Sequence, residues 1–99
     1  MVYPEQVIFI MHVIWEKNSK GLCCSLHFPS FPAAMAFMME VAETAEKLNH
    51  HPDWCNSYRR VDICLRTHDA GNTISEKDLA LSEEIKRILL SHQAENRPI

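Results

Sequence analysis

The first pattern along the chain is an apolar run, Val7-Ile8-Phe9-Ile10-Met11-His12-Val13-Ile14-Trp15, interrupted only by a histidine. Its nine residues fall far short of the roughly 20 that a membrane-spanning helix needs. No Lys or Arg precedes it and no small-residue cleavage site follows it, so it does not read as a signal peptide. It predicts a buried β-strand. The polar stretch Glu16-Lys17-Asn18-Ser19-Lys20-Gly21 predicts a turn, and beyond it Leu22, Cys24, Leu26 and Phe28 alternate with Cys23, Ser25 and His27. Period two marks a strand with one buried face, so residues 7–28 read as a β-hairpin that pairs 7–15 with 22–28.

The period changes after Ser30, which offers an N-cap ahead of Pro32 in the first turn. Ala34, Phe37, Met38, Val41, Ala45 and Leu48 then fall on one helical stripe, and the helix must end before Pro52. A further strand places Val61, Ile63, Leu65 and Thr67 on one face, with Arg60, Asp62, Cys64, Arg66 and His68 on the other. A short extra strand near 54–57 is an option, and Asp69-Ala70-Gly71-Asn72 reads as a loop. The last helix opens on Ser75 as N-cap, Asp78 as the capping-box acid at N3, and Ile74 placed to staple onto Leu79. Leu81, Ile85, Ile88 and Leu89 form its core stripe. Residues 93–99 read as a frayed tail of a single domain spanning 1–99. The predicted order, β-β-α-β-α, implies an α+β fold of two layers, an antiparallel sheet with helices packed on one face.

The first long helix also carries a second apolar set, Met35, Met39 and Ala42, on a different face. One buried stripe suffices to cover a small sheet, so this set predicts a self-association surface.

Composition narrows the functional classes. A formal charge of -3 provides no basic field, which argues against direct nucleic-acid binding and against an anionic membrane surface. The four cysteines, Cys23, Cys24, Cys55 and Cys64, show no C-x-x-C spacing and read as free thiols in a reducing, cytoplasmic compartment.

Three histidines stand out by position. His50 and His51 are adjacent at a helix exit, and His68 ends a strand beside a glycine-containing loop. Each alone also fits a plainer role, such as a cap compatible with the helix dipole. No spacing of the H-E-x-x-H kind is present, so no metal site is expected. Cysteine catalysis through Cys64 and His68 is disfavoured, because four residues along a strand separate them by about 13 Å. Glu46, one helical turn before His50, could orient that ring or could be a solvated helix residue. Asp78 is accounted for by the capping box alone, and His12, His27 and His92 read as structural or surface residues.

The combination is more specific than its parts. Glu46-Lys47-Leu48-Asn49-His50-His51-Pro52-Asp53-Trp54, followed by Tyr58, Val61, Leu65, Thr67-His68, Gly71 and Asp78, resembles the pterin-4a-carbinolamine dehydratase family. That family's pattern is a Glu, three residues, His-His-Pro, five residues, an aromatic, nine residues, a His and a later Asp, and every spacing is met. The likeness extends upstream through Leu26-His27-Phe28, Phe31, Ala34, Phe37 and Met38.

The resemblance implies that His50, His51 and His68 are the catalytic histidines. It also implies that Asn49-His50-His51 and Arg66-Thr67-His68-Asp69 hold the pterin. It implies an enzyme without cofactor or metal that dehydrates 4a-hydroxytetrahydropterin to the quinonoid dihydropterin, recycling the cofactor of aromatic amino-acid hydroxylases. Homodimers or homotetramers are implied as well. The alternative is a non-catalytic binding protein on the same scaffold, because the family includes a protein that stabilises a transcription-factor dimer in animals. The chain departs from the family at its start. There Ile14-Trp15 lacks the usual glycine before the tryptophan, and a β-like run stands where a helix is usual.

Overall fold

The computed structural model describes residues 15–67 and 73–97. Strands β1 (Glu16–Asn18) and β2 (Gly21–His27) form a hairpin, followed by helix α1 (Phe31–Leu48). A second hairpin, β3 (Asp53–Ser57) and β4 (Arg60–Leu65), leads to helix α2 (Glu76–Leu89) and a last strand, β5 (Glu95–Arg97). All pairings are antiparallel, and the sheet runs β1-β2-β4-β3. β5 pairs with residues 25–27 of β2 and β1 with residues 21–23, so the two short strands share one edge of β2. The expected α+β architecture, an antiparallel sheet with its helices on one face, is therefore present; β3 takes up the optional strand near 54–57, and β1 and β5 are strands the periodicity did not predict.

Alternation along β2 and β4 explains the layering. Leu26 faces Val61, Cys24 faces Ile63 and Leu22 faces Leu65 across the ladder, and these side chains point toward the helices. Ala34, Phe37, Val41 and Ala45 from α1, and Leu81, Ile85, Ile88 and Leu89 from α2, close the core over them. The first helix's buried stripe stops a turn before the helix does: Leu48, predicted in the core, is exposed. Met39 is exposed too, whereas Met35 and Ala42 are half-buried. Trp15 packs against the core and donates its indole N–H to the carbonyl of Ser82 at 3.2 Å. No helix among the described residues is long and apolar enough to cross a membrane.

Several sequence expectations are corrected. The strand expected at 7–15 falls largely on residues 1–14, outside those described. The partner that β2 finds is instead Glu16–Asn18, part of the stretch read as a turn. The turn itself is shorter, at Ser19 and Lys20, and Asn18 Oδ1 accepts the Lys20 N–H at 2.8 Å. Gly21 permits it: its φ is +118°, and a Cβ there would collide with the Leu65 carbonyl. Within the 93–99 tail, residues 95–97 are not frayed but add a rung each to β2. Too short and polar for a periodicity signal, they are held by a backbone ladder waiting at an open edge.

The thiol reading is corrected as well. The register sets Cys23 directly opposite Cys64, with Cα atoms 4.1 Å apart, and the two form a disulfide. Chain spacing does not reveal a pair 41 residues apart; strand register does. Cys24 is a free thiol buried in the core, where burial and then the Asp62 charge push its pKa up, and Cys55 is free and exposed.

Phe37 is fully buried and stacks at 5.0 Å on Phe28. Phe37→Ala is expected to cost about 3–5 kcal/mol of unfolding free energy, read from urea denaturation midpoints at constant m-value.

Candidate active site

The site begins where α1 stops. Asn49 adopts the left-handed conformation (φ 51°, ψ 41°), which Asn tolerates better than most residues. Its N–H returns to the Glu46 carbonyl at 3.2 Å and the His50 N–H to the Ala45 carbonyl at 3.1 Å. This Schellman closure satisfies the helix's last carbonyls, and with Pro52 it forces the chain to leave sharply. The two histidines therefore part company.

His50 turns inward. Its side chain is 12% exposed, and Nε2 lies 2.6 Å from Oδ1 of Asp78, which is completely buried. Asp78 sits in the first turn of α2, where its Oδ2 accepts the Ser75 backbone N–H at 2.9 Å and the Thr67 hydroxyl at 2.7 Å. The Thr67 and Ser75 hydroxyls also bond each other. One carboxylate thus joins the end of α1, the end of β4 and the start of α2. Burial acts to raise the Asp78 pKa, but the hydrogen bonds from His50, the Ser75 backbone and Thr67 outweigh it and the net shift is downward. With Asp78 ionised, His50 Nε2 must be the donor, which leaves Nδ1 as the nitrogen able to take up a proton.

His51 turns outward. Nε2 meets Oε2 of Glu46 at 3.1 Å, with side-chain exposures of 60% and 76%. Glu46 thus reaches His51, not His50 as the helical spacing suggested. An i, i+4 helix neighbour is no longer a neighbour once the helix has ended at Asn49.

Thr67 is buried and its backbone N–H bonds the Thr73 carbonyl at 2.9 Å. His68 and Asp69, two of the predicted site residues, lie outside the described residues. Arg66 pairs with Asp53 at 3.0 Å and lines a hollow with Cys55 and Cys64, on the sheet face away from the helices. Of the predicted set, then, the structure gathers His50 and Thr67 around Asp78, with Asn49 and His51 alongside. It turns Arg66 elsewhere. The residue that sequence reasoning undervalued is Asp78, read only as a capping acid. It is one, as the intact capping box shows, but it also anchors His50. The signal was the terminal Asp of the spacing pattern. Among the described residues no group of three or more His, Cys, Asp or Glu is placed to hold a metal ion.

The family model described as "Pterin 4 alpha carbinolamine dehydratase" matches residues 8–88. The chain belongs to this family. A Rhizorhabdus wittichii protein is 53% identical over 74 residues, covering 75% of either chain. A Rhodospirillum rubrum protein is 52% identical over 80 residues, covering 79% of this chain and 82% of its own. Both bear the name "Putative pterin-4-alpha-carbinolamine dehydratase". Among solved structures, a Brucella melitensis protein titled as a transcriptional coactivator/pterin dehydratase superposes with a TM-score of 0.70 at 32% identity, over 88% of this chain and 96% of its own. A pterin dehydratase-like protein, identified in its title as a RuBisCO assembly factor of the alpha-carboxysome, has a TM-score of 0.65 at 21% identity, over 78% and 90% of the two chains. This last likeness is one of fold.

Because the Asp78 pKa is lowered in the folded state, its ionised form stabilises the fold above the ordinary carboxylate range, and that stabilisation is lost as pH falls through the lowered value. Asp78→Asn is expected to cost about 2 kcal/mol at pH 7 through the lost acceptor. The gap between wild type and variant should narrow as pH drops below about 4 in urea-unfolding curves.

Proposed function

We propose that this chain dehydrates 4a-hydroxytetrahydropterin to the quinonoid dihydropterin by histidine general acid–base catalysis. The observation that carries the reading is the His50–Asp78 bond, a buried carboxylate fixing one imidazole nitrogen as donor and freeing the other.

The reaction asks for two proton transfers. The 4a carbon bears a hydroxyl beside N5–H. An imidazolium protonates the hydroxyl, the C4a–O bond breaks as water leaves, and a neutral imidazole takes the N5 proton while the C4a=N5 double bond forms. His50, held through Nε2, is the base at Nδ1. His51, open to solvent, and His68, next in the chain after Thr67, supply and restore the acid proton. Asn49, Thr67 and Asp69 flank these histidines in sequence and complete the pterin-holding set. Imidazole titrates near neutral pH, so both forms are available there. The physiological setting in this reading is recycling of a tetrahydrobiopterin-type cofactor, with no cofactor or metal of the enzyme's own.

The second reading, a binding protein on the same scaffold, is favoured by the Brucella melitensis relative, whose title pairs coactivator with dehydratase. Self-association through α1 belongs to both readings, and the 64% exposure of Met39 supports it. Met35→Glu with Met39→Glu is expected to lower the sedimenting mass while circular dichroism stays that of the folded chain.

The deciding measurement is the dehydration rate of freshly generated 4a-carbinolamine with and without the protein. A bell-shaped pH profile is expected, with His50→Ala and His68→Ala each lowering kcat by about 10²-fold or more. Wild-type turnover in the double variant would reject the assignment of the site, and no acceleration by the wild-type chain would favour the binding reading.

A further inference from the structure

The sheet face away from the helices carries a chemistry the proposed reaction does not use. Cys23, Ser25 and His27 of β2 face Cys64, Asp62 and Arg60 of β4 across it. The Cys23–Cys64 disulfide borders two adjoining hollows, of about 650 and 480 Å³, which share Lys20, Asp62 and Cys64. The two residues are not equivalent. Cys23 is 1% exposed and lines the larger hollow alone, whereas Cys64 is half-buried and lines both.

We propose that Cys64 is a mixed-disulfide site for small acidic thiols that enter from this open face. The incoming thiolate attacks Cys64 Sγ along the accessible side. A new S–S bond forms between the ligand and Cys64, the Cys23–Cys64 bond breaks, and the electron pair leaves on Cys23. That sulfur takes the proton given up by the incoming thiol, so one disulfide is exchanged for another with no net oxidation. The leaving group has a partner in place: Asn18 Oδ1 lies 3.6 Å from Cys23 Sγ, within reach of a thiol donor. The buried Cys24 thiol points into the core on the opposite face and takes no part.

The preference for an acidic ligand comes from the lining. Lys20, Arg60 and Arg97 surround the larger hollow; its one carboxylate, Asp62, is engaged by Ser25 at 2.6 Å and Arg60 at 3.1 Å, and Arg97 meets Glu95 at 3.2 Å, which leaves the positive charges in excess. His27 reports the same field. After burial, the charges of Arg97 and Arg60 are the strongest influences lowering its pKa, ahead of the opposing Asp62 and Glu95. A cationic hollow concentrates an anionic thiol and lets it approach as thiolate. Its volume is in the range of small-molecule sites, ample for a tripeptide. The smaller hollow is also lined by Arg66 and Asp53, so an adduct on Cys64 lies beside the segment that leads into Thr67.

The test uses the full chain with glutathione as the acidic thiol and cysteamine as the cationic one, at matched thiolate concentrations. Samples are quenched in acid at short times, because Cys23 can re-attack and expel the ligand, and then peptide-mapped by mass. The expected result is a glutathione adduct on Cys64 with a newly free Cys23, formed several-fold faster than the cysteamine adduct at low salt, the difference shrinking as salt is raised. In Cys23→Ser the re-attack is removed. There the Cys64 thiolate, treated with glutathione disulfide, should accumulate the adduct by displacing one glutathione. An adduct on Cys23 in place of Cys64, equal rates for the two thiols, or a Cys23→Ser chain modified only at Cys55 would each overturn the proposal. So would a chain never exposed to reductant in which Cys23 and Cys64 are both alkylated as thiols.

Discussion

A buried carboxylate that must be matched on every side organises this molecule. Asp78 has no exposure to water, and an ionised carboxylate there is tolerated only if its lone pairs are met by donors. Three such donors arrive from three places: the histidine beyond α1, the threonine beyond β4 and the backbone of the helix's own N-cap. His50 lies well apart in sequence from the other two. The requirement to satisfy one charge thus ties the relative positions of three chain segments together.

The same requirement divides labour between two adjacent residues. Asn49 ends the helix in a conformation that sends His50 toward the carboxylate and leaves His51 in water beside Glu46. One imidazole is held in a defined tautomer in a nearly dry setting, and its neighbour exchanges freely with solvent. The sharp helix exit at Asn49 is what gives two neighbours in sequence such different surroundings.

How much of this was legible from the residues depended on the range of the interaction. The helices and the second, longer strand of each hairpin were read correctly because burial on one face writes a period into seven or more consecutive positions, as along Leu22–Phe28 and Ala34–Ala45. The two capping residues, Ser30 and Ser75, were legible because capping is local chemistry. Strands β1 and β5 were not. At three residues each they carry no period, and they exist because β2 offers an edge. The Cys23–Cys64 pair was hidden for a related reason: it follows from the register between β2 and β4, which no spacing along the chain encodes. Of the two readings of Glu46, a partner for His50 or a solvated helix residue, the exposed side chain fits the second, and the ring it meets is that of His51, because helical spacing no longer holds beyond Leu48. Asp78 was seen as half of what it is, since the local explanation was sufficient and the distant one, His50, is 28 residues away.

The shared edge of β2 has a consequence for the order in which the sheet is built. β1 lies a two-residue turn from its partner and can zip up as soon as β2 exists, whereas β5 must return from the far end of the chain to pair with residues 25–27. Closing so long a loop for three rungs returns little per residue ordered, so β5 docks only after the helices have fixed the sheet's other face. The rungs that β5 adds at residues 25–27 sit at the sheet's edge, where local opening costs least, while those toward β4 lie inside it. Two halves of one strand, a few ångströms apart, keep different clocks.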